Sequence, residues 1–178
     1  RDYELIAEIQ PIVVSNPESN ANNRVSAMDR NRIARYLLGT DGMSPDMVET
    51  LRSHFLLGRT VPFDEMQRVF FADRYRIQRH FFPRTGGFGR GMRADVAVLD
   101  YVPVAPIEPS NVLGHLLFGA RYGRAFLTVA DGRVVYEDGH VAFVDEQETM
   151  DAATRIARRL HNTYHRIGPF SHAPAEGG

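Results

Sequence analysis

Two short apolar runs, each cut off at once by polar turn residues, constrain this chain more than any other feature: "PIVVS" at 11–15 and "YLLGT" at 36–40. A strand with one face in water alternates polar and apolar residues, so an unbroken run suits a strand buried on both faces. The first run leads into "NPESNANN", which reads as a polar loop, and the second into "DGMSPDM". Residues 25–35 are weakly helical. Beyond the second run, Ser44 is expected to cap a helix reaching about Leu57, with Pro45 at its first position. Tyr3 to Ile9 reads as the end of an earlier helix. Alternation of this kind predicts an α/β fold with a parallel sheet and outer helices, where functional groups sit on the loops after the strands. Asn16 to Asn23 and Asp41 to Asp46 fall on those loops.

The second half has a different period. "FDEMQRVFFADRYRIQRHFF" (63–82) is helical, with Phe70, Phe71, Phe81 and Phe82 expected in the core. "PRTGGFGRGMR" then breaks every pattern and marks a boundary. Its "GGFGRG" follows no buried strand and reads as a flexible connection rather than a phosphate loop. "ADVAVLD" (94–100) alternates, and "RAFLTVADGRVVYEDGHVAF" is a hairpin with Asp131-Gly132 at its tip. Asp145 and Glu148 form a capping box opening a long helix. Met150, Ala153, Ile156, Ala157, Leu160 and Tyr164 share one face of it. The expected segments are 1–83, 84–144, 145–167 and a loose tail, 168–178.

At 178 residues and 43% hydrophobic, the chain is long enough for one domain with a core, or two small ones. Its 21 basic and 22 acidic residues nearly cancel, which argues against a nucleic-acid partner. Cys is absent, so any metal must use His, Asp or Glu. No apolar run approaches the ~20 residues of a membrane span, and "RDYELIAEIQ" is no signal peptide, so a soluble, cytoplasmic protein without membrane contact is expected. The chain opens without Met in mid-helix, as a piece of something longer would.

"VVSNPESNANN", "LLGTDGMSPDM", "GMRADVAVLDY", "SNVLGHLLFG" and "VADGRVVYEDGHV" keep the order and approximate spacing of motifs in the carboxyl-terminal part of the metal-dependent amidohydrolases. Within that superfamily the chain most resembles the chlorohydrolase and aminohydrolase branch, which includes guanine deaminase and SsnA-type aminohydrolases. The likeness covers about residues 1 to 167. It implies the last two strand-helix units of a (β/α)8 TIM-like barrel plus a composite β-sandwich. Its chemistry would be deamination or dechlorination of a small nitrogen heterocycle, with a divalent metal, zinc ahead of iron. "PIVVS" would be the seventh barrel strand and "YLLGT" the eighth. Asp41 would then bind the metal and shuttle a proton, while Asn16, Pro17, Ser19 and Asn20 line the substrate pocket. Three departures stand out. The family's first-, fifth- and sixth-strand His residues are absent, Ser15 stands where relatives often have His, and the stretch from Asn23 to Gly39 is a few residues short. The missing barrel strands are expected from the rest of a parent chain or from another chain, and a homo-oligomer is expected.

Beside each functional reading stands a plainer one. A carboxylate next to a divalent ion can take a proton from metal-bound water, whose pKa falls from about 15.7 to about 7. Asp-Gly is also a common turn pair, so Asp41 serves equally as a turn former. Asn16 and Asn20 suit an amide-lined heterocycle pocket better than Asn22 and Asn23, which read as backbone-satisfying loop residues. Asp46 suits the field at a helix amino end. His161 and His165 are one turn apart but stand among Arg158, Arg159 and Arg166, so a solvated helix face is expected there rather than a metal site. His115 reads as a structural hydrogen-bonding residue, and His54 and His80 as packed or half exposed. The rival to an enzyme is a catalytically inactive amidohydrolase-like interaction module; a metal-free hydrolase with Asp41 as general base is a third reading.

Overall fold

A computed structural model describes residues 1–33, 35–58, 61–120 and 124–167. Helix α1 (Asp2–Ile9) leads into strand β1 (Val13–Ser15), the short helix α2 (Pro17–Asn22), strand β2 (Tyr36–Leu38) and helix α3 (Met47–Gly58). A second helical run follows as α4 (Phe63–Gln67), a π-helical stretch (Arg68–Asp73) and α5 (Arg74–Phe81). Next come β3 (Val96–Leu99), α6 (Val112–Gly114) with a π-helical turn (His115–Gly119), β4 (Ala125–Ala130), β5 (Arg133–Glu137), β6 (His140–Val141) and the long α7 (Glu146–Ile167).

The architecture is mixed α/β. β1 and β2 pair in parallel, Val13 opposite Tyr36 and Ser15 opposite Leu38. β3 to β6 form an antiparallel sheet in sequence order. Among the described residues no third strand joins β1 and β2, and no second sheet faces β3 to β6. The β4–β5 turn places Asp131 and Gly132 at φ 49° and 78°, and the β5–β6 turn repeats this with Asp138 and Gly139 at 49° and 94°. Two successive positive φ values give the twist that tight hairpins require, which is why Asp-Gly recurs.

Several expectations are corrected. "NPESNANN" is not a loop: Asn16 is the N-cap of α2, Pro17 opens it and Glu18 lies in its first turn. Each residue type is favoured at its own position, and together they outweigh the polar composition. Residues 25–33 are not helical. There the Asp29 amide donates to Tyr3 Oη at 2.9 Å, and Asp29 Oδ1 accepts from the Asn31 amide at 3.1 Å. Asp46 rather than Ser44 caps α3, its Oδ1 accepting from the amides of Val48 and Glu49 at 2.8 and 3.1 Å. The sheet is not buried on both faces, since Val14 is 50% exposed. Phe81 and Phe82 are exposed, not core, although Phe70 packs against the core. Asp145 does cap α7, accepting from the Glu148 amide at 2.9 Å. Glu146, rather than Glu148, reaches back, accepting from the Val141 amide at 3.0 Å. The expected tail, 168–178, lies outside the described residues.

The core has two parts that meet at Leu38. Leu51, Met66 and Leu117, all at 0% exposure, anchor one, while Ile33, Tyr36 and Val69 form the other. A polar chain runs through the second. Arg30 Nη1 donates to Glu65 Oε2 at 2.6 Å, and Tyr36 Oη donates to Glu65 Oε1 at 2.8 Å. Tyr36 Oη also lies 2.8 Å from His54 Nε2. A carboxylate only accepts, so the single hydroxyl proton goes to Glu65 and His54 Nε2–H donates to Tyr36. Burial, then the Arg30 charge, lower the His54 pKa against the opposing pull of Glu65, which fits this neutral tautomer. Burial and the Glu65 bond hold the Tyr36 hydroxyl well above its ordinary value.

The exposed surface is 13756 Å² for a chain of 20.1 kDa. A self-contained globular monomer of that mass exposes about 8700 Å². Among the described residues, Ile9, Phe88, Val102, Val104 and Phe143 are large apolar side chains left more than two-thirds exposed.

Two outcomes follow. Tyr36→Phe strands a part-buried acceptor on Glu65 and a buried donor on His54, and is expected to lower unfolding stability by about 2 kcal/mol in urea melts. His54, whose folded pKa lies below its unfolded value near 6.5, contributes stability that is complete above that value and lost as pH falls through the folded pKa. A His54 imidazole titrating at or above 6.5 by NMR contradicts the buried neutral assignment.

Candidate functional site

The site begins where β1 and β2 end side by side. The Gly39 amide donates to the Ser15 carbonyl at 2.9 Å, extending the parallel pairing by one residue. A Cβ at Gly39 would collide with Asn16 Oδ1 and lie 2.8 Å from Val14 Cγ1. Glycine is therefore what lets the two strand ends approach. From there the chains part into α2 and into the turn around Asp41 and Gly42.

Asp41 takes a left-handed conformation, φ 52°. Asp tolerates this region better than most residues, and non-Gly residues held there cluster at functional positions. Its Oδ2 accepts from Ser19 Oγ at 2.6 Å, a bond spanning 22 positions that joins α2, which follows β1, to the turn after β2. Ser19 is 5% exposed and its Oγ accepts from Asn23 Nδ2 at 3.2 Å, so the hydroxyl proton is directed to Asp41. Glu18 steadies the same helix from below, accepting from Thr50 Oγ1 at 3.3 Å and Ser53 Oγ at 3.1 Å on α3.

Of the five residues expected at the site, the structure bonds Ser19 to Asp41 and sets Asn16 against Gly39. Asn20 bonds through its backbone, its amide donating to the Asn16 carbonyl at 2.9 Å and its carbonyl accepting from the Val25 amide at 2.8 Å. Pro17 is buried at the start of α2 and shapes the loop rather than lining an open face. Glu18, Asn23, Thr50 and Ser53 escape sequence reasoning as supports. Thr50 and Ser53, the partners of Glu18 on α3, lie 32 and 35 positions from it, with no local signal, and Asn23 bonds Ser19 from α2's own end.

The Ser19 hydroxyl, then the Gly42 amide, hold the Asp41 carboxyl below the usual carboxylate range, against slight opposing desolvation. The side chain is exposed in this chain. An exposed carboxylate held charged suits donation to a cation and suits a free-standing general base near pH 7 poorly. Among the described residues no group of three or more His, Cys, Asp or Glu side chains could hold a metal ion. Asp41 thus fits as one donor of a shared site, and these residues do not make a metal site alone. Four of the described histidines have other surroundings. His54 is in the core network, and His115 Nδ1 lies 2.6 Å from Tyr101 Oη. His161 and His165 stack edge to face on exposed α7, their centroids 4.2 Å apart. No helix among the described residues is long and apolar enough to cross a membrane.

No protein-family model matches the chain. Among curated proteins it is similar to 5-methylthioadenosine/S-adenosylhomocysteine deaminase of Syntrophobacter fumaroxidans, 28% identical over 175 residues, 90% of this chain and 40% of that protein. It is also similar to the protein of the same name from Syntrophomonas wolfei, 27% identical over 88% of this chain and 39% of that protein. A third relative is 5'-deoxyadenosine deaminase of Methanosarcina barkeri, 27% identical over 69% of this chain and 30% of that protein. The chain spans 30% to 40% of the length of these relatives. All three are named deaminases.

Removing the Ser19 hydroxyl takes away the first cause of the low Asp41 pKa. In Ser19→Ala the Asp41 carboxyl is expected to titrate closer to the ordinary value of about 3.9. A carbon-detected NMR titration reads this, and an unchanged midpoint would show that the bond does not hold the carboxylate.

Proposed function

We propose that this chain is the carboxyl-terminal part of a metal-dependent amidohydrolase that hydrolytically deaminates an adenosine-like nucleoside. The Ser19–Asp41 bond at the carboxyl ends of two parallel strands carries this reading, because it fixes a charged carboxylate where such folds place their reacting groups. The relatives' names support deamination over dechlorination and over an inactive interaction module.

In this reading β1 and β2 are the last two strands of a (β/α)8 barrel within residues 1–83, and β3 to β6 are one sheet of a composite sandwich within 84–144. Two strands cannot close a barrel, so the other six come from the rest of a parent chain or from another chain. Asp41 would then lean over the mouth of the ring, its rotamer fixed by Ser19. Its oxygen not bonded to Ser19 takes a proton from the attacking water and passes it to the leaving amine. Asn16 and Asn20 offer amides that both donate and accept, the pattern needed to hold a purine edge. A divalent metal, zinc ahead of iron, would supply Lewis acidity that makes water nucleophilic near neutral pH.

The test is metal content and ammonia release from 5'-deoxyadenosine by the protein carrying this chain together with its missing strands. About one zinc or iron per chain is expected. Asp41→Asn keeps a residue tolerant of positive φ and is expected to lower turnover by about 10² or more. A metal-free protein, or an Asp41→Asn variant with full turnover, would overturn the proposal.

A further inference from the structure

α7 runs 22 residues without burying one of them. Met150, Leu160, Tyr164 and Ile167 are between 52% and 70% exposed, and Ala153 and Ala157 are exposed beside them. Residues 150, 153, 157, 160, 164 and 167 advance by alternating steps of three and four. This is the spacing of the two seam positions of a heptad, the pattern of a helix made to pack on another helix.

The sizes along the seam select the partner. An antiparallel copy centred between Arg158 and Arg159 sets Met150 against Ile167, Ala153 against Tyr164 and Ala157 against Leu160. Both alanine layers then receive a large side chain, which is how helix seams fill without voids. A parallel copy would stack Ala on Ala in two layers and Tyr on Tyr in a third. Charge agrees with size. Glu146, Glu148 and Asp151 occupy the first turns, while Arg155, Arg158, Arg159 and Arg166 follow. Antiparallel pairing brings the acidic turns of one helix toward Arg166 of the other and opposes the helix dipoles, whereas parallel pairing stacks like charge on like. The positions flanking the seam, Thr154, Ile156, His161 and Thr163, carry no formal charge when His161 is neutral and so do not repel a second copy.

We propose that α7 pairs with α7 of a second copy of this chain in an antiparallel two-helix seam, making a homodimer with its two-fold axis between Arg158 and Arg159. The dimer goes beyond the deaminase reading and does not depend on it, since a metal-free, inactive chain would form it equally.

The chain has no Cys, so single introduced thiols report the geometry directly. In the antiparallel seam, position 153 of one copy lies beside position 164 of the other. The two copies of position 153 are then about 16 Å apart along the axis at 1.5 Å per residue. Mixing the Ala153→Cys and Tyr164→Cys chains under oxidation is expected to give a disulfide-linked heterodimer, and Ala153→Cys alone is expected to give almost no dimer. Analytical ultracentrifugation of the unmodified chain is expected to show a monomer–dimer equilibrium. Ala157→Glu puts two carboxylates about 4.5 Å apart along the axis and is expected to raise its midpoint concentration more than tenfold. Because residue 157 is exposed in the monomer, circular dichroism should be unchanged. A chain that is monomeric at every concentration, or efficient cross-linking between two Ala153→Cys chains, would overturn the proposal.

Discussion

The fold of the first half turns on one hydroxyl. Tyr36 sits in β2 at 2% exposure, and its Oη is shared between Glu65 of α4 and His54 of α3. Arg30, from the irregular stretch before β2, closes the far side of the carboxylate. Three segments distant in sequence are thereby fixed to one strand. Because each buried side-chain polar atom among the described residues has a partner, the network orients the segments at little desolvation cost, whereas an apolar contact would leave them free to slide. The direction of each bond follows from chemistry: Arg30 can only donate, an ionised Glu65 can only accept, and the proton order of Tyr36 and His54 is then determined.

That fixed strand is what gives the site its geometry. With β2 held, Gly39 can lie against Asn16, and the helix opened by Asn16 and Pro17 brings Ser19 under Asp41. Each step uses a residue whose local preference matches its position: Gly where a Cβ would collide, Pro at a helix start, Asp at positive φ. The strain at Asp41 and the depressed pKa of its carboxyl arise from the same arrangement, since the turn that sets φ also aims the oxygen at Ser19.

How much of this the sequence carried depended on range. The two strands, the Asp-Gly hairpin and α7 were legible, because each is encoded within a few residues. Asp41 was legible as a turn residue after β2, whereas Asn16 and Ser19 were read as loop residues and belong to the start of α2. The helical nature of 17–22 was also written locally, in Asn16, Pro17 and Glu18, but its polar composition masked it. Asp46 displaced Ser44 as the cap of α3 because its longer side chain reaches two amides at once. Glu18 binding α3, and Tyr36 joining His54 to Glu65, were not legible at all. Those pairings span 18 to 35 positions, and nothing local marks either end.

The surface ties these threads together. The chain exposes about 5000 Å² more than a self-contained monomer of its mass would. That excess is not spread evenly. The two edges of the β1–β2 pair offer unpaired backbone, Val98, Phe126 and Val134 stand open on the antiparallel sheet, and α7 offers a seam. A strand edge in water is solvated, and it also stands ready to accept a further strand, because its amides and carbonyls are already aligned for pairing. A heptad seam is satisfied by another helix. The open surfaces thus differ in kind: strand edges and an apolar sheet face in the two sheets, and on α7 a helical seam that the proposed second α7 would cover.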